Sequence, residues 1–225
     1  PLVLGLPLPF IAQSWRKRPL VPITTQLTTL PLHQGSSLVY LAIMSRKYKF
    51  RDQEALYFVS FATVHWIDLF VRPEYSLVLL DSLEHCQKEK GLEIGAWCIM
   101  PSHVHLIMGT SKNPMQDIIR DLKSFTSRKL KELIHESSKE SRKQWIVQMM
   151  KQAGLNNGNN NEWQLWQQNN HPIELNTNDK LLSRLHYLHN NPVKAGFVEQ
   201  PEHWRYSSAI DYAGGVGLLK IELIF

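Results

Sequence analysis

Between positions 56 and 175 the apolar residues switch period repeatedly, and the order of the switches leaves few folds open. From Leu56 to Trp66, β-branched and aromatic residues alternate, with Tyr57, Val59, Phe61, Thr63 and His65 on one side and Phe58, Ser60, Ala62 and Val64 on the other. That period of two is the period of a strand. After Pro73 it lengthens: Leu77, Leu80 and Leu83 recur at helical spacing, and the helix is expected to run through Glu84 to Lys90 and end near Gly91. Leu92 to Met100 reads as a second strand, Pro101-Ser102 as a turn and His103 to Met108 as a third strand. After a loop from Gly109 to Asn113, Pro114 opens a long amphipathic helix that directs Met115, Ile118, Ile119, Leu122, Phe125, Leu130, Leu133 and Ile134 to the core. Pro172 to Leu175 is a short fourth strand.

This is the βαββαβ order of a ferredoxin-like layer, an α+β fold whose antiparallel sheet carries its helices on one face. A further helix opens at Asp179, carries Leu181, Leu182, Leu185 and Leu188, and is expected to stop at Pro192. It is an addition to the ferredoxin-like core. The tail beyond Gly196 holds Trp204, Tyr206 and Tyr212 and is expected to pack across the core, with Leu218 to Phe225 either a helix or an edge strand.

Two segments stand apart from this pattern. Residues 1–43 are rich in Leu, Pro and Thr, lack a consistent period and do not begin with Met, whereas Met44-Ser45-Arg46-Lys47-Tyr48 reads as a protein start. Residues 1–43 are therefore expected to be a disordered or mis-assigned extension, and 44–225 a single domain. Within it, about 136–170 is a polar insertion, and the Asn156-Asn157-Gly158-Asn159-Asn160-Asn161 run reads as a flexible loop. Trp163 and Trp166 interrupt the insertion, so part of it must dock, either in the core or as a platform for unpaired bases.

Bulk properties narrow the function class only slightly. The net charge of +5 suggests an anionic partner, but residues 1–43 hold three basic residues and no acid, so the remaining 22 bases face 20 acids. Cys86 and Cys98 lack zinc-site spacing and read as small buried thiols, which suits a cytoplasmic protein. No apolar run approaches the roughly 18 residues needed to span a bilayer, and no membrane partner is expected.

Two short motifs carry possible chemistry. In His103-Val104-His105 the strand period sets both imidazoles on one face, where two of them one pleat apart can hold a divalent ion. On the pair alone, they read more readily as two ordinary half-buried strand histidines. In Tyr187-Leu188-His189-Asn190-Asn191-Pro192, a helix stacks Tyr187 and Asn191 on one face, a hydroxyl and an amide pointing the same way. Because Asn191 directly precedes Pro192, Asn190 could take its place in that pairing; alternatively Tyr187 is a core aromatic and Asn191 a helix cap.

Together and in this order, Pro101-Ser102-His103-Val104-His105-Leu106-Ile107, then Tyr187-Leu188-His189-Asn190-Asn191-Pro192-Val193-Lys194-Ala195-Gly196, then Pro201-Glu202-His203-Trp204-Arg205-Tyr206-Ser207-Ser208-Ala209 resemble the one-tyrosine HUH transposases, most closely the REP-associated tyrosine transposase branch. The likeness runs from about Met44 to the end, and the polar insertion departs from it. The resemblance implies a ferredoxin-like catalytic domain, His103 and His105 as metal ligands with Asn191 as the third, Mg2+ or Mn2+ as the metal, and Tyr187 as the nucleophile. Tyr206 and Tyr212 stay open as alternative nucleophiles. It further implies cleavage of single-stranded DNA at hairpin-associated sites, leaving a 5′-phosphotyrosine and a free 3′-hydroxyl. Some relatives exchange the tyrosine helix within a dimer, while this branch is more often monomeric, so monomer and homodimer both stay open. The alternatives are a domesticated hairpin-binding module that does not cut, and a metal-dependent nuclease with no covalent intermediate.

For contact with the DNA backbone, the densest basic stretch runs from Lys112 to Lys151, where five acids offset ten bases. Arg120, Lys123, Arg128 and Lys129, on the helix that follows the histidine strand, are its expected phosphate contacts.

Overall fold

The computed structural model describes residues 49–157 and 162–224. The expected extension over 1–43, the start at Met44 and most of the asparagine run lie outside the described residues. The elements are β1 (Tyr57–Ala62), α1 (Pro73–Lys90), β2 (Leu92–Ile99), β3 (His103–Thr110), α2 (Met115–Glu136), α3 (Lys143–Leu155), β4 (Ile173–Glu174), α4 (Asn178–Lys194) and the short α5 (Ala209–Tyr212). The four strands lie in the order β2-β3-β1-β4, every pair antiparallel. This is the expected ferredoxin-like sheet, with α1 and α2 on one face and the added α4 on the other. Among the described residues, no helix is long and apolar enough to cross a membrane.

Strand alternation sorts the side chains between the two faces. Tyr57, Val59 and Phe61 of β1 and Val104, Leu106 and Met108 of β3 enter the main core under α1 and α2, together with Leu79, Leu83, Ile118 and Ile119. Phe58 and Ile107 point the other way and meet Leu181, Leu185 and Leu188 of α4. β2 is buried along nearly its whole length because both of its faces are covered, and a bulge between Ile94 and Ala96 shifts its parity. Ile94 and Trp97 consequently both reach the main core, while Ala96 and Cys98 line the α4 face. Gly95 at the bulge leaves no room for a side chain, since a Cβ there would lie 2.7 Å from Ile224 Cδ1.

Five local expectations change. First, β1 ends at Ala62 rather than Trp66: Thr63 Oγ1 donates to the carbonyls of Ile67 and Ser102 at 2.7 and 3.0 Å, and His65 and Trp66 turn the chain at φ of 53° and 55°. Second, Phe125 is 50% exposed rather than in the core. The inward stripe of α2 passes through Leu122, Thr126 and Leu130, and Thr126 earns its buried place by accepting a hydrogen bond from Trp166 Nε1 at 2.9 Å. Trp166 is thus a core residue, edge-on to Phe61 and stacked on Phe70. Third, the polar stretch after α2 contains helix α3, which sends Ile146 and Met150 into the main core. Fourth, α4 does not stop at Pro192 but runs on to Lys194. Proline removes one amide donor without forbidding helical φ. The helix closes two residues later, where Gly196, at φ 75°, and Phe197 donate to the carbonyls of Val193 and Pro192 at 2.9 Å each. Fifth, the chain from Leu218 onward is neither helix nor strand, although Leu219 and Ile224 are buried.

Candidate metal and tyrosine site

The site lies on the α4 face, where β3 and α4 cross. Strand alternation places His103 and His105 on the same side as Ile107, with ring centres 4.8 Å apart. Across from them, Thr177 caps the start of α4 by accepting a hydrogen bond from the Lys180 amide, and Leu181, Leu185 and Leu188 seat the helix on the sheet. That seating brings two more polar residues over the histidines. The Tyr187 ring lies 5.4 Å from the His105 ring and 5.9 Å from Phe58, and Asn191 Nδ2 lies 3.0 Å from His105 Nε2. Asn190 is turned away and donates to the His186 carbonyl at 3.0 Å, so Asn191 is the amide that faces the pair.

Burial governs the electrostatics. His105 is 4% exposed, and burial, with His103 and the Arg184 guanidinium adding to it, pushes its pKa down to about 3. Burial likewise lowers His103, with Asn191's hydrogen bond opposing the shift. Both imidazoles are therefore neutral near pH 7 and offer lone pairs. Ser102 Oγ lies 3.2 Å from His103 Nδ1, which leaves His103 Nε2 as the outward donor. His105 Nδ1 is buried with no hydrogen-bond partner.

These residues fit a divalent ion. No cluster of three His, Cys, Asp or Glu exists among the described residues, so the donor set is two imidazoles and an amide. A half-turn of the Asn191 side chain presents its Oδ1, the ligating end, to the same point. The set is neutral, so an ion held there keeps its full charge for an anionic substrate, and mixed nitrogen and oxygen donors suit Mn2+ or Mg2+ with water completing the shell.

The alternative tyrosines are placed elsewhere. The Tyr212 hydroxyl donates to the Gly95 carbonyl at 2.8 Å, and burial pushes its pKa up to about 12. Tyr206 packs against the main core. Tyr187, by contrast, is 36% exposed.

The basic residues expected on the helix after the histidine strand lie across the sheet from this site, because α2 covers the other face. Arg120 pairs with Asp117 and Asp121 at 2.6 and 3.0 Å, and Lys129 pairs with Glu132 at 3.3 Å. Lys123 is built into the fold: it donates to the Gln167 carbonyl and Asn170 Oδ1 at 2.6 and 2.8 Å, and burial lowers its pKa to about 8. Arg128 lines a cleft of about 690 Å³ with Lys131 and Trp163.

Three neighbours of the site escaped the sequence reading. Arg184 and Lys194 flank Tyr187 on α4, and their spacing along the helix was the available signal. Trp66, 59% exposed, stands with its ring 5.4 Å from His103 on the turn after β1, and nothing in the local pattern marked that turn.

Comparison with known proteins bears on the family and the fold. Residues 68–150, which include both histidines, match the family described as "Transposase IS200 like". A Haemophilus influenzae protein named as a REP-associated tyrosine transposase is 30% identical over 118 residues, 52% of this chain and 58% of that protein, so the chain spans little more than half of that relative. Among solved structures, a REP-associated tyrosine transposase bound to a REP hairpin aligns over 76% of this chain and 87% of its own, at 16% identity and a TM-score of 0.51. A transposase structure from Deinococcus radiodurans aligns over 60% of this chain and 88% of its own, at 22% identity and a TM-score of 0.37. The resemblance read from the sequence is thereby borne out: the chain is similar to the IS200-like transposases through its central segment and has the fold of a REP-associated tyrosine transposase.

Proposed function

We propose that this chain is a metal-dependent transposase that nicks and rejoins single-stranded, hairpin-associated DNA through Tyr187. One observation carries the reading: β3 and α4 bring His103, His105, Asn191 and Tyr187 to one place, with the phenol ring 5.4 Å from an imidazole whose neighbour is the amide one helical turn on. Relatives named for REP association, one of them solved with a REP hairpin, support hairpin DNA as the substrate class.

A free phenol has a pKa near 10, so only about 0.1% is phenolate at neutral pH. Attack on phosphate therefore needs charge compensation. Held by His103, His105 and Asn191, a Mg2+ or Mn2+ ion would polarise the scissile phosphate and offset the charge that develops on it. Tyr187 Oη forms a bond to phosphorus as the P–O3′ bond breaks. The phenol gives up one proton and the leaving 3′-oxygen takes up one, so the step is balanced and no net water is consumed. The downstream strand stays joined to Tyr187 through its 5′-phosphate. Because this ester keeps the energy of the phosphodiester, a later 3′-hydroxyl reverses the step without a nucleotide cofactor. A water-based nuclease would lose that reversibility.

Incubation with a labelled single-stranded REP-type hairpin and Mn2+ tests the reading. A covalent protein–DNA adduct is expected, lost in Tyr187→Phe. Adduct that persists in that variant rules out Tyr187. Cleavage without adduct indicates the nuclease, and binding without cleavage indicates the domesticated module.

A further inference from the structure

Arg184, Tyr187, Asn191 and Lys194 are spaced three, four and three residues apart and share one stripe of α4. Lys194 belongs to that stripe only because the helix runs past Pro192. The Arg184 guanidinium lies 5.3 Å from the centre of the Phe58 ring and 5.9 Å from that of Tyr187, and Lys194 Nζ lies 5.7 Å from the Tyr187 ring. Both cations thus rest against aromatic rings, and their N–H donors find no protein acceptor among the described residues. Arg72, Arg120 and Arg142 differ, each being tied to a carboxylate. The acid on the neighbouring strand, Glu174, is turned to the other face, where Tyr57 Oη lies 3.4 Å from it. Two like charges gathered over one phenol repel each other, a cost that an anion between them would relieve.

We infer that Arg184 and Lys194 form a seat for one phosphodiester group, set over Tyr187 and beside the histidine pair. The planar guanidinium can grip two non-bridging oxygens, while Lys194 supplies a second, point-like charge beside the same ring. The inference rests on the proposed reaction of Tyr187 for its purpose, but anion binding at the seat needs neither metal nor turnover. It moves the expected contact with the reacting phosphate from α2 to α4.

The test is a titration of metal-free protein with inorganic phosphate, followed by NMR at the Arg184 Nε–Hε signal, which is assigned by its loss in Arg184→Gln. A saturable shift is expected, weakened about tenfold in Lys194→Gln and unchanged in Arg128→Gln on the opposite face. An Arg184 signal that does not move, or an affinity that Lys194→Gln leaves intact, overturns the seat. In the adduct assay, Arg184→Gln and Lys194→Gln are expected to raise the half-saturating DNA concentration by more than they lower the maximal rate, with partial rescue in Arg184→Lys. If phosphate binds as expected and the wild type forms no adduct, the seat stands and the reaction proposed for Tyr187 falls. If both glutamine variants react like the wild type, the seat falls and the reaction stands.

Discussion

The two faces of the sheet are built from the same strands and differ in almost everything else. Under α1 and α2, β3 contributes Val104, Leu106 and Met108, all fully buried, to a closed apolar core. Under α4, one residue out of step, it contributes His103, His105 and Ile107, and the packing there is interrupted by imidazoles, an amide and two cations that rest against aromatic rings. The closed face supplies stability. The α4 face carries polar groups that a core would not tolerate, and it can do so because the rigid strand beneath is held from the other side. Stability and chemistry should therefore separate by face when single residues are changed.

The largest effect expected is on the α4 face. His105→Ala should slow adduct formation by roughly 10³-fold, the scale of several kcal/mol of lost charge stabilisation, and thermal melting should move less than for a core truncation. Tyr187→Phe should abolish the adduct with a stability change within about 0.5 kcal/mol, because the hydroxyl makes no hydrogen bond among the described residues. A comparable unfolding penalty in either variant would blur the division between faces. Next comes Leu106→Ala on the closed face, expected to cost about 3 kcal/mol, roughly 6–12 °C in melting temperature for a chain of this size, with the adduct still formed below the transition.

A smaller effect is expected at the edge of the closed face. Glu140 is buried with its carboxylate 2.6 Å from Arg72 Nε and 3.4 Å from Arg142 Nε, and Arg142 reaches on to Asp68 at 2.5 Å. Burial alone would raise its pKa, but the Arg72 hydrogen bond, the Arg142 amide and both guanidinium charges together hold it below the carboxylate value of 4.5. A carboxylate depressed in the folded state stabilises above its unfolded pKa, and that contribution fades as pH falls through the folded value. Wild-type stability should therefore drop on acidification below about pH 4.5, and Glu140→Gln, costing roughly 2 kcal/mol at pH 7, should show a flatter acid limb in denaturant titrations. The smallest effect is expected from Pro192→Ala: within about 1 kcal/mol, with adduct formation unchanged, because the helix already continues through that position.

How much of this could be read from the sequence follows the same division. Where one face is buried and the other is not, alternation is visible, so β1, β3 and the shared side of the two histidines were legible from spacing alone. Pro73 and Gly91 marked α1 because each has a local conformational reason to stand at a helix end. The losses came where tertiary contacts override local preference. Trp66 continues the strand pattern, but the hydrogen bonds of Thr63 turn the chain first. Thr126 reads as polar, yet it lies inward because Trp166, distant in sequence, gives its hydroxyl a partner. Ile146 and Met150 were too sparse among polar neighbours to reveal α3. At the site, His103, His105, Asn191 and Tyr187 were legible as a set only through the family resemblance; their meeting depends on the crossing of β3 and α4. Arg184 and Lys194 do not stand out by density of charge along the chain. Density points to α2, which lies behind the sheet, whereas helical spacing from Tyr187 points to the cations beside the phenol.

Everything proposed for the α4 face requires that an ion bound by His103 and His105 sit next to the Tyr187 phenol. Paramagnetic broadening by Mn2+ measures that proximity without DNA or turnover. With substoichiometric Mn2+, the Tyr187 ring and Asn191 side-chain signals should broaden selectively while those of Tyr206 persist, and the effect should vanish in His105→Ala. Tyr187 signals that stay sharp at saturating Mn2+, or that broaden equally in His105→Ala, would place the ion elsewhere.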